Sequence, residues 1–212
     1  MRVQKILSHV TGPDVLDIGC AGHLPKPGSP YWLHGKLREK FPNIVGVDLN
    51  EVNVEVLKKQ GFRDLYVASA ESFELGKKFD TIVSGELIEH LSNPGLFLLQ
   101  CKKHIKPDGR IVLSTPYVFS LFSFIYAFLK FPDTCENKEH AVWFCPRTLT
   151  ELSNRSGFDV IHWELIEDYE LDNPSIPYKI FAGLMVTVGR ILIPGKLRKN
   201  AMVFVLTPSK NI

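Results

Sequence analysis

Val15-Leu16-Asp17-Ile18-Gly19-Cys20-Ala21-Gly22-His23 is the stretch that decides the fold. A strand-length run delivers an acidic residue, and small residues then turn the chain. Glycine admits backbone angles closed to other residues and lets a ligand approach the main chain. A strand followed by such a turn presents backbone N–H groups and a helix start to a ligand. Gly19, Cys20, Ala21 and Gly22 are therefore candidate binding residues. Asp17 reads as a ligand-positioning carboxylate rather than only a strand-end turn former. Cys20 reads as a small turn residue, since nothing around it favours a thiolate.

Working outward, apolar runs of strand length alternate with segments of helical spacing. Residues 15–18, 44–48, 65–68, 79–84 and 111–115 read as strands. Residues 31–41, 51–60 and 94–105 read as helices, the second stopped by Gly61 and the third leading into the turn Pro107-Asp108-Gly109. This alternation predicts a Rossmann-like, doubly wound α/β sheet, mostly parallel, with helices on both faces. Ligands of such sheets bind at the carboxyl ends of the strands. Each strand is followed by a candidate contact. Asp48, 31 residues after Asp17, can accept hydrogen bonds from both hydroxyls of a ribose, with Leu49 beside it. Asn50 is the better cap for the following helix. Ser69-Ala70-Glu71 can meet an adenine, and Gly85, within Ser84-Gly85-Glu86-Leu87-Ile88-Glu89-His90, is a close-approach position.

Beyond residue 115 the pattern loosens. Residues 117–131 are an apolar helix candidate, 133–140 a polar loop, and 146–156 a helix stopped by Gly157. Residues 160–166 and 202–206 read as an antiparallel hairpin at the sheet edge, completing seven strands. The intervening 172–200 is too long for a hairpin loop and holds a second apolar helix candidate, 179–193. The whole of 1–212 is expected to be one domain with helical insertions near 117–140 and 172–200.

Hydrophobic residues at 45% and charged residues at 23% are ordinary globular usage. A net charge of +2 and the lack of a basic, aromatic-interleaved patch argue against a nucleic-acid partner. The four cysteines form no CxxC pair, no Cys/His cluster has structural zinc spacing, and no metal is expected. The opening MRVQKILSHV lacks a signal peptide's apolar run, so a cytoplasmic setting with reduced thiols is expected. Residues 111–129 carry no charge over 19 positions, but Pro116 and several hydroxyl residues favour a buried strand, a turn and a helix over a membrane span.

Taken together, the segments VLDIGCAGH, VGVDLN, ASAESF, FDTIVSGELIEHL and IKPDGRIVLSTP resemble the class I S-adenosylmethionine-dependent methyltransferases, in particular the small-molecule branch with a methyltransferase type 11 domain. The later run HAVWFCPRTLTELSNRSGFDV is similar to the same branch, so the resemblance covers about residues 14–168. It implies S-adenosyl-L-methionine as cofactor, S-adenosyl-L-homocysteine as product, and methyl transfer to a small-molecule or lipid-linked acceptor. Asp17 would then position the amino-acid end of the cofactor. Ala21 and His23 stand where the family usually has glycines, and Ser69 where many members have Asp. A non-catalytic cofactor-binding protein on this scaffold is the alternative. A nicotinamide-dependent oxidoreductase fits less well, because G-C-A-G is not G-x-G-x-x-G and Asp48 lies 29 positions after Gly19, against roughly 20 in that motif.

His90 follows Glu86 by four residues, so on a helix both would share a face, and His90 is a candidate base. His140, in the loop after strand five, is a candidate substrate-facing residue. His34 and His104 read as helix surface residues. The apolar stripes in 117–131 and 179–193, the latter followed by Lys196, Arg198 and Lys199, suit core packing, a cover over the acceptor, a homodimer face or a peripheral membrane contact.

Overall fold

A computed structural model describes residues 2–22, 29–130, 137–168 and 194–210. Seven strands form one sheet in the order β3-β2-β1-β4-β5-β7-β6. They are β1 (Val15–Ile18), β2 (Val45–Asp48), β3 (Leu65–Val67), β4 (Phe79–Gly85), β5 (Ile105–Pro116), β6 (Phe158–Ile166) and β7 (Ala201–Pro208). The first five pair in parallel, and β7 is antiparallel to both β5 and β6. This is the expected doubly wound sheet with an antiparallel edge pair, with β7 lying inside β6. From β1 the chain winds outward to β2 and β3, then returns to place β4 on the other side. The β1/β4 boundary is thus the point where strand order reverses, and the crevice at the strand ends opens there.

The helices are α1 (Arg2–His9), α2 (Leu33–Lys40), α3 (Glu51–Lys59), α4 (Pro94–His104), α5 (Leu121–Lys130) and α6 (Pro146–Arg155). Local chemistry sets several of their ends. Asn50 caps α3 by accepting from the Asn53 N–H at 3.0 Å, and Gly61 follows it with φ +85°. Asn93 caps α4 by accepting from the Leu96 N–H at 3.1 Å, with Pro94 at the first helical position. Val3, Ile6, Leu7 and Val10 of the α1 region pack with Val83, Val112 and Val203 of the sheet. A larger cluster on Leu16, Ile82, Phe97, Ile111, Phe158 and Phe204 fills the core.

Several sequence expectations are corrected. The segment before β1, for which no element was expected, is a helix, α1. The Pro107-Asp108-Gly109 turn lies within β5 as a break in register, since Phe79 pairs with Ile105 and Thr81 with Arg110. Lys106 at that break bonds Asp14 at 2.7 Å and Asp80 at 2.9 Å. Residues 86–90 are not a continuous α-helix: Glu86 has φ +52°, and only a short 3-10 turn, Ile88–His90, follows. The helix expected over 117–131 starts at Leu121, because Tyr117 bridges to Phe144. The uncharged stretch 111–129 divides into β5 and α5, and no helix among the described residues is long and apolar enough to cross a membrane. The helix expected over 179–193, together with His23 and the first half of the loop 133–140, lies outside the described residues.

Candidate functional site

The loop after β1 is tied to β2 rather than left open. The Gly19 and Cys20 N–H groups donate to the Val47 carbonyl at 2.8 and 3.3 Å. The Ala21 and Gly22 N–H groups donate to Asp48 Oδ2 at 2.8 and 3.2 Å. Gly19 takes φ +86°, which lets the chain fold back onto β2. The expectation that these four amides face a ligand is thus modified, since β2 receives all of them. Asp48 also accepts from the Asn50 N–H at 2.8 Å. Three of the roughly four acceptor positions of its carboxylate are therefore taken, and two ribose hydroxyls need one of the loop bonds to exchange.

Asp17 is buried at the end of β1, with His34 Nδ1 3.0 Å from its Oδ2. His34 is buried too, which corrects its reading as a surface residue: Leu37, three residues on, faces the same core. His104 is likewise buried, with its Nε2 accepting from the Leu75 N–H at 3.2 Å. Gly46 of β2 leaves room for the Asp17–His34 pair. A Cβ there would fall 2.7 Å from the Cys20 sulfur and 3.0 Å from the His34 ring. Burial pushes the Cys20 thiol far up, in keeping with a packed turn residue.

Leu49 is exposed, and Ala70 is buried beneath the same rim. Glu71 accepts from the Asn93 N–H at 2.7 Å, tying the turn after β3 to the start of α4. Gly85 is a close-approach position for a different reason from the one expected. A Cβ there would lie 2.7 Å from Leu33 and 3.1 Å from the Arg2 guanidinium.

The segment after β4 brings the two candidate histidines together. The Glu89 carbonyl accepts from the Ala141 and Val142 N–H groups at 2.9 and 3.1 Å, docking residues 140–142 onto the turn. His90 and His140 then meet edge to face with ring centroids 4.7 Å apart. Donor atoms of Glu89, His90 and His140 lie within 4.8 Å of one another. Burial, with His90 second, holds His140 below the ordinary histidine value. The separation of 50 positions between the two histidines hid this pairing from the sequence.

Glu89 is the residue that sequence reasoning missed. Its side chain is buried, and Thr115 Oγ1 donates to its Oε2 at 3.0 Å. Its Oε1 has no hydrogen-bond partner among the described residues, and neither has the buried Ser84 Oγ near the end of β4. Burial first, and the neighbouring Glu86 charge second, push the Glu89 carboxyl up to about 8. The signal in the sequence was an acidic residue beside His90 in an apolar segment, SGELIEHL.

Sequence and structure comparisons bear on the family and the fold. The family described as "Methyltransferase domain" matches residues 2–163. A ubiquinone biosynthesis O-methyltransferase of Rickettsia canadensis is 25% identical over 172 residues, covering 74% of this chain and 69% of that protein. One from Rickettsia prowazekii is 32% identical over 121 residues, covering 53% of this chain and 45% of that protein. Across four such Rickettsia relatives the chain spans under half of their length, 38–46%. A S-adenosylmethionine-dependent methyltransferase from Archaeoglobus fulgidus shares the fold at TM-score 0.65 and 21% identity, over 97% of this chain and 90% of that one. So does a glycopeptide N-methyltransferase solved with S-adenosyl-L-homocysteine, at TM-score 0.62 and 14% identity, over 97% and 85%. The residues present suit S-adenosylmethionine. Asp17 and Asp48 lie at the carboxyl ends of the adjacent strands β1 and β2, and the half-buried Asp48 carboxylate would meet the ribose hydroxyls of such a ligand. The unpartnered buried oxygens of Glu89 and Ser84 fall at the same edge. With the family match laid over this sheet, the chain belongs to the methyltransferase-domain family and has the class I methyltransferase fold.

Proposed function

We propose that the protein methylates a hydroxyl group on a small acceptor that carries an apolar portion, with His140 and His90 as proton acceptors. The observation that carries this reading is the meeting of the His90 and His140 rings beside buried Glu89, at the end of the strand that follows the switch point. Asp17, Gly19, Cys20, Ala21, Gly22, Asp48, Leu49, Ala70, Glu71 and Gly85 would hold S-adenosylmethionine, which supplies a methyl group on a positively charged sulfur. A ring nitrogen of His140 or His90 would take the hydroxyl proton as the acceptor oxygen bonds to that methyl carbon and the carbon–sulfur bond breaks, leaving neutral-sulfur S-adenosyl-L-homocysteine. Most of the rate then comes from holding the acceptor in line, for which the docked 140–142 segment forms a wall.

The apolar portion is inferred from α5, which follows β5 at the same edge and exposes Phe124, Ile125, Phe128 and Leu129, with Phe119 exposed just before it. The names of the relatives, which concern ubiquinone biosynthesis, fit that reading. A cytoplasmic location with peripheral membrane contact belongs to the same proposal, as does a homodimer through the α5 face. The rival, cofactor binding without turnover, draws on the closed amides of the loop after β1.

Turnover separates the two. We expect S-adenosyl-L-homocysteine to raise the melting temperature, as a ligand selective for the folded state does. We also expect methylation of a prenyl-tailed phenol in preference to its untailed analogue. His140→Ala should lower kcat by about 10²–10⁴-fold, the range for losing a general base. Binding of the homocysteine product with no turnover on any tailed or untailed phenol would leave the non-catalytic reading in its place.

A further inference from the structure

A second cluster of metal-ligand type lies away from the strand ends, where α1 crosses the outer strands. His9 is the last residue of α1, and His162 and Glu164 sit two apart on β6, so both point to one face of the sheet. The register of β6 against β7 shifts between Val160 and His162, and such an irregularity re-aims the residues beside it. His9 Nε2 lies 3.8 Å from Glu164 Oε1, and His162 Nε2 lies 3.7 Å from the same oxygen. Both distances are too long for hydrogen bonds. The two rings are tilted by 36° with centroids 5.0 Å apart, so they are not stacked on each other. One donor atom from each of the three residues lies within 4.8 Å of the other two.

We propose that His9, His162 and Glu164 bind a divalent transition-metal ion of the zinc class, with water in the remaining position. Tetrahedral zinc with bonds near 2.0–2.1 Å sets its ligand atoms about 3.3 Å apart, so the two histidine–carboxylate separations need to close by about half an ångström. Two imidazoles and one carboxylate select zinc, nickel or copper over magnesium or calcium, which prefer all-oxygen sites. Lys5 Nζ bonds Glu164 Oε2 at 3.0 Å, which orients the carboxylate and leaves Oε1 for a single metal bond. The C-terminal end of α1 adds partial negative charge next to His9. Side-chain exposures of 25% for His9, 26% for Glu164 and 45% for His162 give an ion a way in without leaving the donors fully solvated. The bound ion would clasp α1 to the edge strand, at the opposite end of α1 from Arg2, whose guanidinium bonds Asp168. The role is structural and independent of methyl transfer.

The test uses the full chain, stripped of metal by a chelator and titrated with Zn²⁺ or Co²⁺. The expected result is one equivalent bound at this site with a melting temperature raised by several degrees. The rise should persist in His90→Gln and disappear in His9→Gln and His162→Gln, with affinity at least tenfold weaker in each. Glu164→Gln serves as a third test should a histidine variant melt lower than the wild type without metal. The proposal fails if the wild type shows no shift up to about 0.1 mM Zn²⁺. It fails equally if the shift survives in both histidine variants, or if it vanishes in His90→Gln, which would assign the ion to the Glu89–His90–His140 cluster instead.

Discussion

Two carboxyl groups at the ligand edge are equally buried, Asp17 and Glu89 each at 2% exposure, and the fold treats them differently. Asp17 is matched by His34 at 3.0 Å inside the core, and Gly46 is kept small to seat the pair. Glu89 has one oxygen held by Thr115 and the other unpartnered among the described residues. A buried carboxylate with a partner can be part of the scaffold. A buried carboxyl without one costs stability, and sites of function are where a fold carries such a cost. The difference separates the β1 end, which is built as a fixed wall, from the β4 end, which is built to receive something.

Breaking the first pair should have the largest effect. His34→Ala leaves Asp17 buried without its partner, and the expected loss is about 3–5 kcal/mol of unfolding free energy, measured by denaturant titration. A loss below about 1 kcal/mol would mean that water reaches Asp17 and that the two carboxyls are not so different.

The second prediction concerns pH. The Glu89 carboxyl is raised in the folded state from an ordinary 4.5 to about 8. Its contribution to stability is therefore fully present below about pH 4.5 and is lost as pH rises through 8. Glu89→Gln removes that dependence. Relative to the wild type, the variant should gain about 2–4 kcal/mol between about pH 5 and about pH 9, read from paired unfolding curves. Parallel curves for the two proteins across that range would place Glu89 in contact with solvent or a cation.

The third variant extends the comparison to the half-buried rim. Asp48→Ala should weaken S-adenosyl-L-homocysteine binding by about 1–3 kcal/mol in calorimetry. Because Asp48 also anchors the Ala21 and Gly22 amides, part of that loss should persist with free adenosine, whose ribose makes the same demand on the loop. Equal affinities for variant and wild type would leave Asp48 with only its loop role.

The parallel half of the sheet was legible because each candidate residue there follows its own strand directly. Asp17, Asp48, Glu71 and Gly85 could be placed at one edge from the order of elements alone. Helix α1 was also written in the sequence, as Val3, Ile6, Leu7 and Val10 at helical spacing, but it was read only for what it lacked. The burial of His34 follows from its spacing to Leu37, a signal that the polarity of histidine obscured. What no local pattern carried are the contacts between distant segments. The meeting of His90 with His140 depends on two hydrogen bonds to the Glu89 carbonyl, and the His9–His162–Glu164 cluster on α1 crossing β6. Pairing of β7 between β5 and β6 was likewise read only as a hairpin at the edge.

That placement of β7 also orders events in time. Strand β7 follows β6 in the sequence yet occupies the slot between β5 and β6, so β6 is made before the strand that pairs with it among the described residues. Until β7 arrives, β5 and β6 each lack the strand that separates and joins them among the described residues, and open edges of that kind invite pairing between molecules. The five parallel strands can assemble first, but the sheet closes only through a non-local step, and contacts of that kind are slow to form. During synthesis this places a period of aggregation risk after the candidate methyl-transfer rim has been translated and before residues 201–208 have followed.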